Sequence, residues 1–547
     1  MNSKKYLPLR VFAVFLAGLL VGKFCFSTTR EGVGISLFNG KPSKLQAVIN
    51  LIDNRYVDDI DIDSLTESVI PDIFLKLDPH TKYVSSENRD QSERNIKGRF
   101  CGIGVEYSVF NDSIIVLYTV KGGPCQKTGI LPGDNIVSAD SVELTAENAK
   151  TKLPLLITGE KGTPIVLGIK RQGVDSILRF SVVRDDIPLL SVPAAFKRDS
   201  VTGVVKITSF GEQTYREFLG KLSFLCSKDG GLKNLIVDLR DNGGGLVYAV
   251  RDVISEILST GDTIVYTVGR SREKESVLLD TVSKPLCAGM RIVCLTNYGT
   301  ASASEILSGA VQDNDRGLII GRRTFGKGLV QTPFSLSDNS LVRLTTSRYY
   351  TPSGRSFQKS YSDYSSDYTN RLKKGEFDSA SAYTGDTLKV FFTKNGRRVY
   401  QGGGVMPDLF VPEKNSSKSP LLAKCDKAGL FLKFAARKYN VLFQEDSLAV
   451  LQGKFVDTLF SDGKLLSEDF WRFAATYGIE TDAKKDKKEL AEISGTVLNL
   501  IRANACYVTG DWDGYYEYLY LDNPDLDSAA TLFADSLRFE KMLKPEK

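Results

Sequence analysis

The sequence predicts a multidomain α/β protein: a mostly β module, then an α/β core containing a parallel sheet, with helical regions at both ends. Three observations predict it. The chain has 547 residues, 42% of them hydrophobic, enough to fill several globular cores. From Gly98 short alternating strands follow one another between glycine and proline turns. From Val201 strands alternate with helices, the rhythm of a sheet covered by its own crossover connections.

In chain order, the first element is an export signature. Lys4, Lys5 and Arg10 precede the apolar run "VFAVFLAGLLVG" at 11–22, the layout of a segment that directs a chain out of the cytoplasm. The run is shorter than the ~20 residues of a spanning helix; Phe24 to Phe26 extend it beyond Lys23, and no small-x-small cleavage site stands out. Residues 1–30 are therefore expected to be a signal peptide or, through 11–26, a membrane anchor, and the chain is expected to leave the cytoplasm. A helical region follows over 31–97, where Leu45, Val48, Ile49 and Ile52, then Ile70, Ile73, Phe74 and Leu77, recur at helical spacing. It closes at "LDPHTKY", where Asp78-Pro79 marks a turn that puts His80 in a structural loop.

Residues 98–185 read as the β module. The runs "GIGVEYSV", "SIIVLYTV", "DNIVSA" and "PIVLGIKR" are strands, and "TAENAKTKLPLL" is a helix with Thr145 as its cap. The α/β core spans 186–415. Its strands are "VTGVVKITSF", "LKNLIVDLR", "MRIVCLTN" and "RGLIIG"; its helices are "EQTYREFLGKLSFLC", "GLVYAVRDVISEIL" and "SASEILSGAVQD". Sites in such sheets form beyond the carboxyl ends of the strands. An insertion at about 359–400 begins with the polar "SYSDYSSDY", read as a solvated loop, and contains a hairpin turn at Asn395-Gly396. Amphipathic helices fill 416–547; they suit dimerisation, substrate clamping, docking of an adaptor protein, or plain packing on the core.

Composition excludes several functions. The 71 basic and 66 acidic residues are mixed along the chain and leave a net charge of +5, so no basic stripe argues for nucleic acid. The eight cysteines form no Cys-x-x-Cys pair, and one histidine cannot build a His-based metal cluster. A Cys101–Cys125 bridge is conceivable; otherwise the cysteines read as small buried hydrophobes.

What chemistry remains is concentrated in "YGTASASEILSG" and "FGKGLVQ". A serine hydroxyl needs a base to take its proton as it attacks. His80 is far away in sequence, whereas Lys327 sits just after the strand that follows the serine helix. A lysine acts as a base only when neutral, so burial without a carboxylate partner must push it far below its ordinary value of about 10.4. Phe325 and the flanking glycines fit a dry turn; an exposed lysine in a glycine turn is the alternative. Thr300, Ser302 and Ser304 stand at a helix amino terminus whose unpaired N–H groups favour developing negative charge, or they simply cap it. In "DLRDNGGG" the three glycines let main-chain amides turn toward a ligand, or make only a tight strand-to-helix turn.

Six motifs in order, "LDPHTKY", "GIGVE", "DLRDNGGG", "TASASEI…FGKGLVQ", "RYYTPSGRSFQ" and "GGGVMPD", resemble those of the C-terminal processing, or tail-specific, serine peptidases, over roughly residues 36–412. The resemblance implies a PDZ-like β module, a serine protease core, no metal or organic cofactor, and a place in the bacterial cell envelope, facing the periplasm, with 11–26 a candidate anchor in the inner membrane. It implies Ser302 as nucleophile, Lys327 as general base and Gln331 as the residue assisting the lysine. On an extended strand residues 327 and 331 lie about 13 Å apart, so their contact needs a turn at Gly326 or Gly328. The oxyanion hole would be the main-chain N–H of Ala303 with that of Gly243 or Gly244. The loop Gly102-Ile103-Gly104 would hold the carboxylate of a substrate tail, added as an extra strand. Two departures weaken the match in the β module: Pro154, expected to interrupt the helix walling that groove, and Ser141, in place of a turn glycine. The partners implied are proteins or peptides with exposed C-termini, with a homodimer or an adaptor left open; a non-catalytic peptide-binding scaffold of the same fold is the alternative.

Overall fold

The computed structural model describes residues 43–545 apart from 90–91, 94–97, 111–112, 229, 279–284, 362–363, 381–388, 414–418, 452 and 483–485. The apolar run at 11–22 lies outside the described residues, among which no helix is long and apolar enough to cross a membrane. Two helices, Lys44–Arg55 and Ile62–Phe74, form at the apolar spacing read from the sequence, and neither buries a residue.

The remainder is built on three large sheets, beside two two-stranded ones, among the described residues. The first orders Val105–Phe110, Ser113–Thr119, Asn135–Ala139, Pro164–Lys170 and Leu178–Val183 as antiparallel neighbours, which leaves Val105–Phe110 at an edge. Its core includes Ile103, Ile114, Val116, Leu153 and Ile165. The helix Ala146–Ile157 starts at Thr145, which exchanges two hydrogen bonds with Asn148. Contrary to expectation, Pro154 does not interrupt that helix. It stands inside the helix with only residues 155–157 after it, so the Lys150 carbonyl is the one that loses its main-chain donor. At the turn with Ser141, Asp140 takes the left-handed conformation, φ 50°, which Asp accepts more readily than most residues; its carboxylate receives the Val166 N–H at 2.8 Å.

The second sheet orders Ala194–Lys197, Thr202–Lys206, Asn234–Asp238, Arg291–Thr296, Gly317–Gly321 and Leu409–Phe410. Its first pair is antiparallel and the rest are parallel. The central strands are buried on both faces, which explains their nearly continuous apolar runs. One face packs on the helices Thr214–Ser227, Val247–Ser255 and Ala303–Asp313 through Phe218, Leu222, Val250, Ile306 and Leu307. The other face is covered from the far end of the chain: Leu526, Leu532, Phe533 and Phe539, on the helices Pro524–Ala534 and Ser536–Met542, pack on Val204, Ile236, Leu295 and Leu318.

The third sheet was not foreseen. It pairs Lys82–Val84, Leu341–Tyr350, Thr263–Gly269 and Lys274–Leu278, with Leu329–Ser335 also on Leu341–Tyr350. The helices Pro420–Lys427, Leu430–Glu445, Gly463–Ala475 and Lys487–Thr509 share a core of their own around Phe431, Phe434, Phe470 and Val497. They are tied to the β module where the Asn440 amide donates to the Pro132 carbonyl at 3.1 Å and to Asp134 at 3.0 Å. The described residues of 416–547 thus comprise a separately cored helical body and, after Gly510, a cover for the parallel sheet. Cys101 and Cys125 are free thiols.

Most described residues of the "SYSDYSSDY" segment are exposed, as its reading as a solvated loop expects, but Tyr364 and Asp367 turn inward. The Tyr364 hydroxyl bonds the His80 ring and its own ring stands edge-on to Phe325 at 5.7 Å. Lys359 is buried, paired with Asp367 at 2.9 Å and lying 3.6 Å from the Phe325 ring centre. Counting serines and aspartates conceals the one tyrosine, Tyr364, that packs inward.

Candidate active site

Three loops leave the carboxyl ends of three adjacent parallel strands, and the candidate residues sit on them. Asn234–Asp238 runs into the glycine loop, Arg291–Thr296 into the serine turn, and Gly317–Gly321 into the lysine loop.

At the serine turn, Ser302 is the N-cap of the helix Ala303–Asp313 with φ 57° and ψ −116°. This backbone region is costly for any side chain and recurs where a sharp strand-to-helix turn projects a hydroxyl. The neighbouring hydroxyls are committed elsewhere: Thr300 donates to the Leu239 carbonyl at 2.9 Å and Ser304 to the Asn242 carbonyl at 3.0 Å. Among the described residues, the Ser302 hydroxyl donates to no acceptor.

Glu305 joins this turn to the lysine loop. Its buried carboxylate receives the Ser302 N–H at 2.9 Å and the Lys327 N–H at 2.7 Å on one oxygen, and the Gly326 N–H at 2.7 Å and Thr324 hydroxyl at 2.5 Å on the other. Sharing an oxygen fixes the main chains of residues 302 and 327 side by side. Burial pushes the Glu305 carboxyl up, while these hydrogen bonds pull it down. Sequence reasoning missed this residue, although its position three after Ser302 is that of a capping box.

Lys327 is partly buried and, among the described residues, makes no ion pair. Its Nζ donates to Gln331 Oε1 at 3.3 Å, and Gln331 Nε2 in turn donates to the His80 carbonyl. The turn that this contact needs is at Gly326, φ 91°, and the strand ladder then slips one residue between Val330 and Gln331. Burial pushes the lysine below its ordinary value, Lys82 and Arg343 add to the fall, and Glu305 and Asp78 oppose it. His80 lies in a loop, as read, but that loop reaches the site through its main chain. Burial and nearby Lys327 bring its imidazole down to about 4, so it is neutral at neutral pH.

The glycine loop abuts the serine turn. A Cβ on Gly244 would lie 2.7 Å from the Ser302 Cβ and 2.8 Å from the Ala303 nitrogen. The Gly244 N–H, however, donates to Asn242 Oδ1 at 2.9 Å, so it is not a free oxyanion donor, contrary to expectation. Gly243 N–H and Ala303 N–H bond no acceptor among the described residues. Asn242, also missed, holds the two loops together: its carbonyl accepts the Ala301 N–H at 2.9 Å and its amide donates to the Ile207 carbonyl at 3.1 Å. Gly102, Ile103 and Gly104 lie elsewhere, where Gly102 ends a strand and the chain enters Val105–Phe110.

The sequence pattern of peptidase family S41 matches residues 201–365, which contain all three loops. A carboxy-terminal-processing protease of Bartonella bacilliformis is 36% identical over 313 residues, 57% of this chain and 71% of that one. The chain belongs to this family of C-terminal processing serine peptidases. The peptidase is also 32% identical over 325 residues to the carboxy-terminal processing protease CtpA of Bacillus subtilis, covering 59% and 67% of the two chains. A solved photosystem II D1 C-terminal processing protease matches 57% of the chain and 89% of its own, with 26% identity and a TM-score of 0.32.

Proposed function

We propose that the peptidase works through a Ser302/Lys327 dyad on proteins presented by their C-terminal tails in the cell envelope. One observation carries this reading: Glu305 ties the serine turn to a partly buried lysine that has a glutamine, rather than a carboxylate, at its amine. A lysine so placed sheds its proton more readily than in water.

In the proposed reaction neutral Lys327 accepts the Ser302 proton as the oxygen attacks the scissile carbonyl carbon. The oxyanion develops against the N–H groups of Ala303 and Gly243, neither of which bonds an acceptor among the described residues. The lysine ammonium then protonates the departing amine, the C–N bond breaks, and an ester on Ser302 remains. Water attacks the ester, giving its proton to Lys327; the bond to the Ser302 oxygen breaks, the new carboxyl terminus departs, and the ammonium returns the proton to Ser302. Gln331, its amide oriented by the His80 carbonyl, keeps the amine directed and supplies no charge that would hold the proton.

A PDZ-like role for residues 98–185 is supported by the edge of Val105–Phe110, which pairs with no further strand among the described residues, beside the loop Gly102-Ile103-Gly104, where an extended tail can add as a strand. The basic and apolar layout of residues 1–30 supports export.

Purified variants test the dyad. Ser302→Ala and Lys327→Ala are each expected to lose casein cleavage by about 10³-fold or more while keeping the parent circular dichroism spectrum; cleavage at the parent rate by either would refute the assignment. His80→Ala, which retains the carbonyl that Gln331 uses, is expected to leave the dependence of rate on serine and lysine intact.

A further inference from the structure

Asp525 lies outside residues 201–365 matched by the family pattern, on the helix Pro524–Ala534 that covers the back of the parallel sheet. It is 2% exposed. One carboxylate oxygen accepts from Arg240 Nη1 at 2.8 Å and the other from Arg322 Nη1 at 2.6 Å. Arg240 belongs to the glycine loop, two residues before Asn242. Arg322 opens the lysine loop, and its N–H and carbonyl are held by Thr296 at 3.0 and 2.9 Å at the base of the serine turn.

The connection is rigid at both ends. Arg240 also grips Asp238 through Nε at 3.0 Å and Nη2 at 2.6 Å, and its Nη1 donates to Asn523 at 3.0 Å. The Tyr520 hydroxyl donates to the same Asp238 at 2.6 Å. Arg322 Nη1 also reaches the Val411 carbonyl at 3.4 Å. Two arginines of like charge are thus drawn to one buried acid, and the acid comes from a different part of the chain than either loop.

We propose that Asp525 is a positioning residue of the peptidase: its carboxylate, bridging Arg240 and Arg322, sets the spacing between the glycine loop and the lysine loop. This rests on the Ser302/Lys327 reading. Asp525 touches no reacting atom; it acts through two arginines, so its loss should slow the chemical step and leave substrate capture unchanged. The helix Pro524–Ala534 then carries one positioning side chain besides its covering apolar ones.

The test uses the full chain, with labelled casein as substrate, well below the melting temperature of every variant. Asp525→Asn keeps the shape of the side chain and removes its charge; kcat is expected to fall at least about tenfold with KM within about twofold. Leu526→Ala, in the same helix and fully buried, is expected to lower the melting temperature and keep the parent kcat per folded molecule. Arg322→Lys alone should lower kcat, and in the Asp525→Asn background it should cost little more, because both changes break one connection. If Asp525→Asn does not fold, Arg322→Lys and Arg240→Lys against Leu526→Ala carry the same comparison. Parent kcat in Asp525→Asn, or a fall no larger than that of Leu526→Ala, overturns the proposal. So do fully additive losses in the double variant. Ser302→Ala separates the two levels: if it is inactive while Asp525→Asn is unimpaired, only the role of Asp525 fails; if it still cleaves, the dyad fails and this role with it.

Discussion

Lys327 is held in a conflict that the fold does not relieve. Burial and the nearby cations Lys82 and Arg343 disfavour its charge, and among the described residues only a glutamine oxygen meets its amine. The unfolded chain keeps this proton up to about pH 10.4, whereas the folded chain gives it up earlier. Between those two values the unfolded state binds more protons, so stability rises with pH; below the folded value the cost of the buried charge is fully present. Lys327→Met removes that cost. The melting temperature of the variant relative to the parent is expected to be most favourable at about pH 6 and to decline toward about pH 10, as read by scanning calorimetry. An advantage that grows with pH would mean that the amine is stabilised as a cation in the folded chain. The proposed catalysis has the same sign: kcat/KM should fall as pH drops through the depressed value, because the protonated amine cannot accept the serine proton.

At the scale of elements, the parallel sheet matters because three of its strands end side by side and deliver three loops to one place. Gly244 shows how tight that meeting is: with φ 100°, and with the Ala301 carbonyl and Ser302 Cβ each 2.7 Å from where a Cβ would stand, any side chain must displace the serine turn. Gly244→Ala is therefore expected to lower kcat about 10²-fold, the scale of losing an oxyanion donor, and to lower the melting temperature. Gly243→Ala, whose Cβ would meet nothing within 4 Å, keeps its N–H and should lose at least about tenfold less; equal losses would show that strain in the loop, rather than contact with the serine turn, is what matters. The alternation of these strands and helices was legible because each buries a continuous apolar run or a periodic face. The third sheet was hidden for a physical reason. Pro333 lies within Leu329–Ser335 and argues against a strand there, and most of Leu341–Tyr350 is only half-buried, so neither shows a buried run. Ser302 and Lys327 could be picked out by residue type and motif, whereas Glu305, Asn242 and Asp525 act through contacts between distant segments, which no local period encodes.

Across the whole molecule, the chain after Gly510 settles how independent the core is. Tyr520, Leu526, Ala529, Leu532, Phe533 and Phe539 fill the face of the parallel sheet opposite the helices Thr214–Ser227, Val247–Ser255 and Ala303–Asp313. A parallel sheet needs both faces covered, and no other segment among the described residues lies on this one with comparable apolar area. Removing 511–547 would expose Val204, Ile236, Leu295, Leu318 and Ile320 together, and would leave Arg240 and Arg322 without Asp525. Breaking a buried ion pair from one side alone costs about 3–5 kcal/mol, already a large part of the roughly 5–15 kcal/mol by which domains are stable. Each large apolar side chain uncovered adds about 1.5–3 kcal/mol. A chain ending at residue 510 is therefore expected to accumulate insoluble, or to unfold without a cooperative transition when solubilised, as measured by sedimentation and by thermal circular dichroism. A single truncation in the same cover, Leu532→Ala, is expected to cost about 2–5 kcal/mol and still melt cooperatively. A soluble 1–510 chain that melts in one sharp step and cleaves casein would show that the core closes its own sheet and that the covering helices are dispensable.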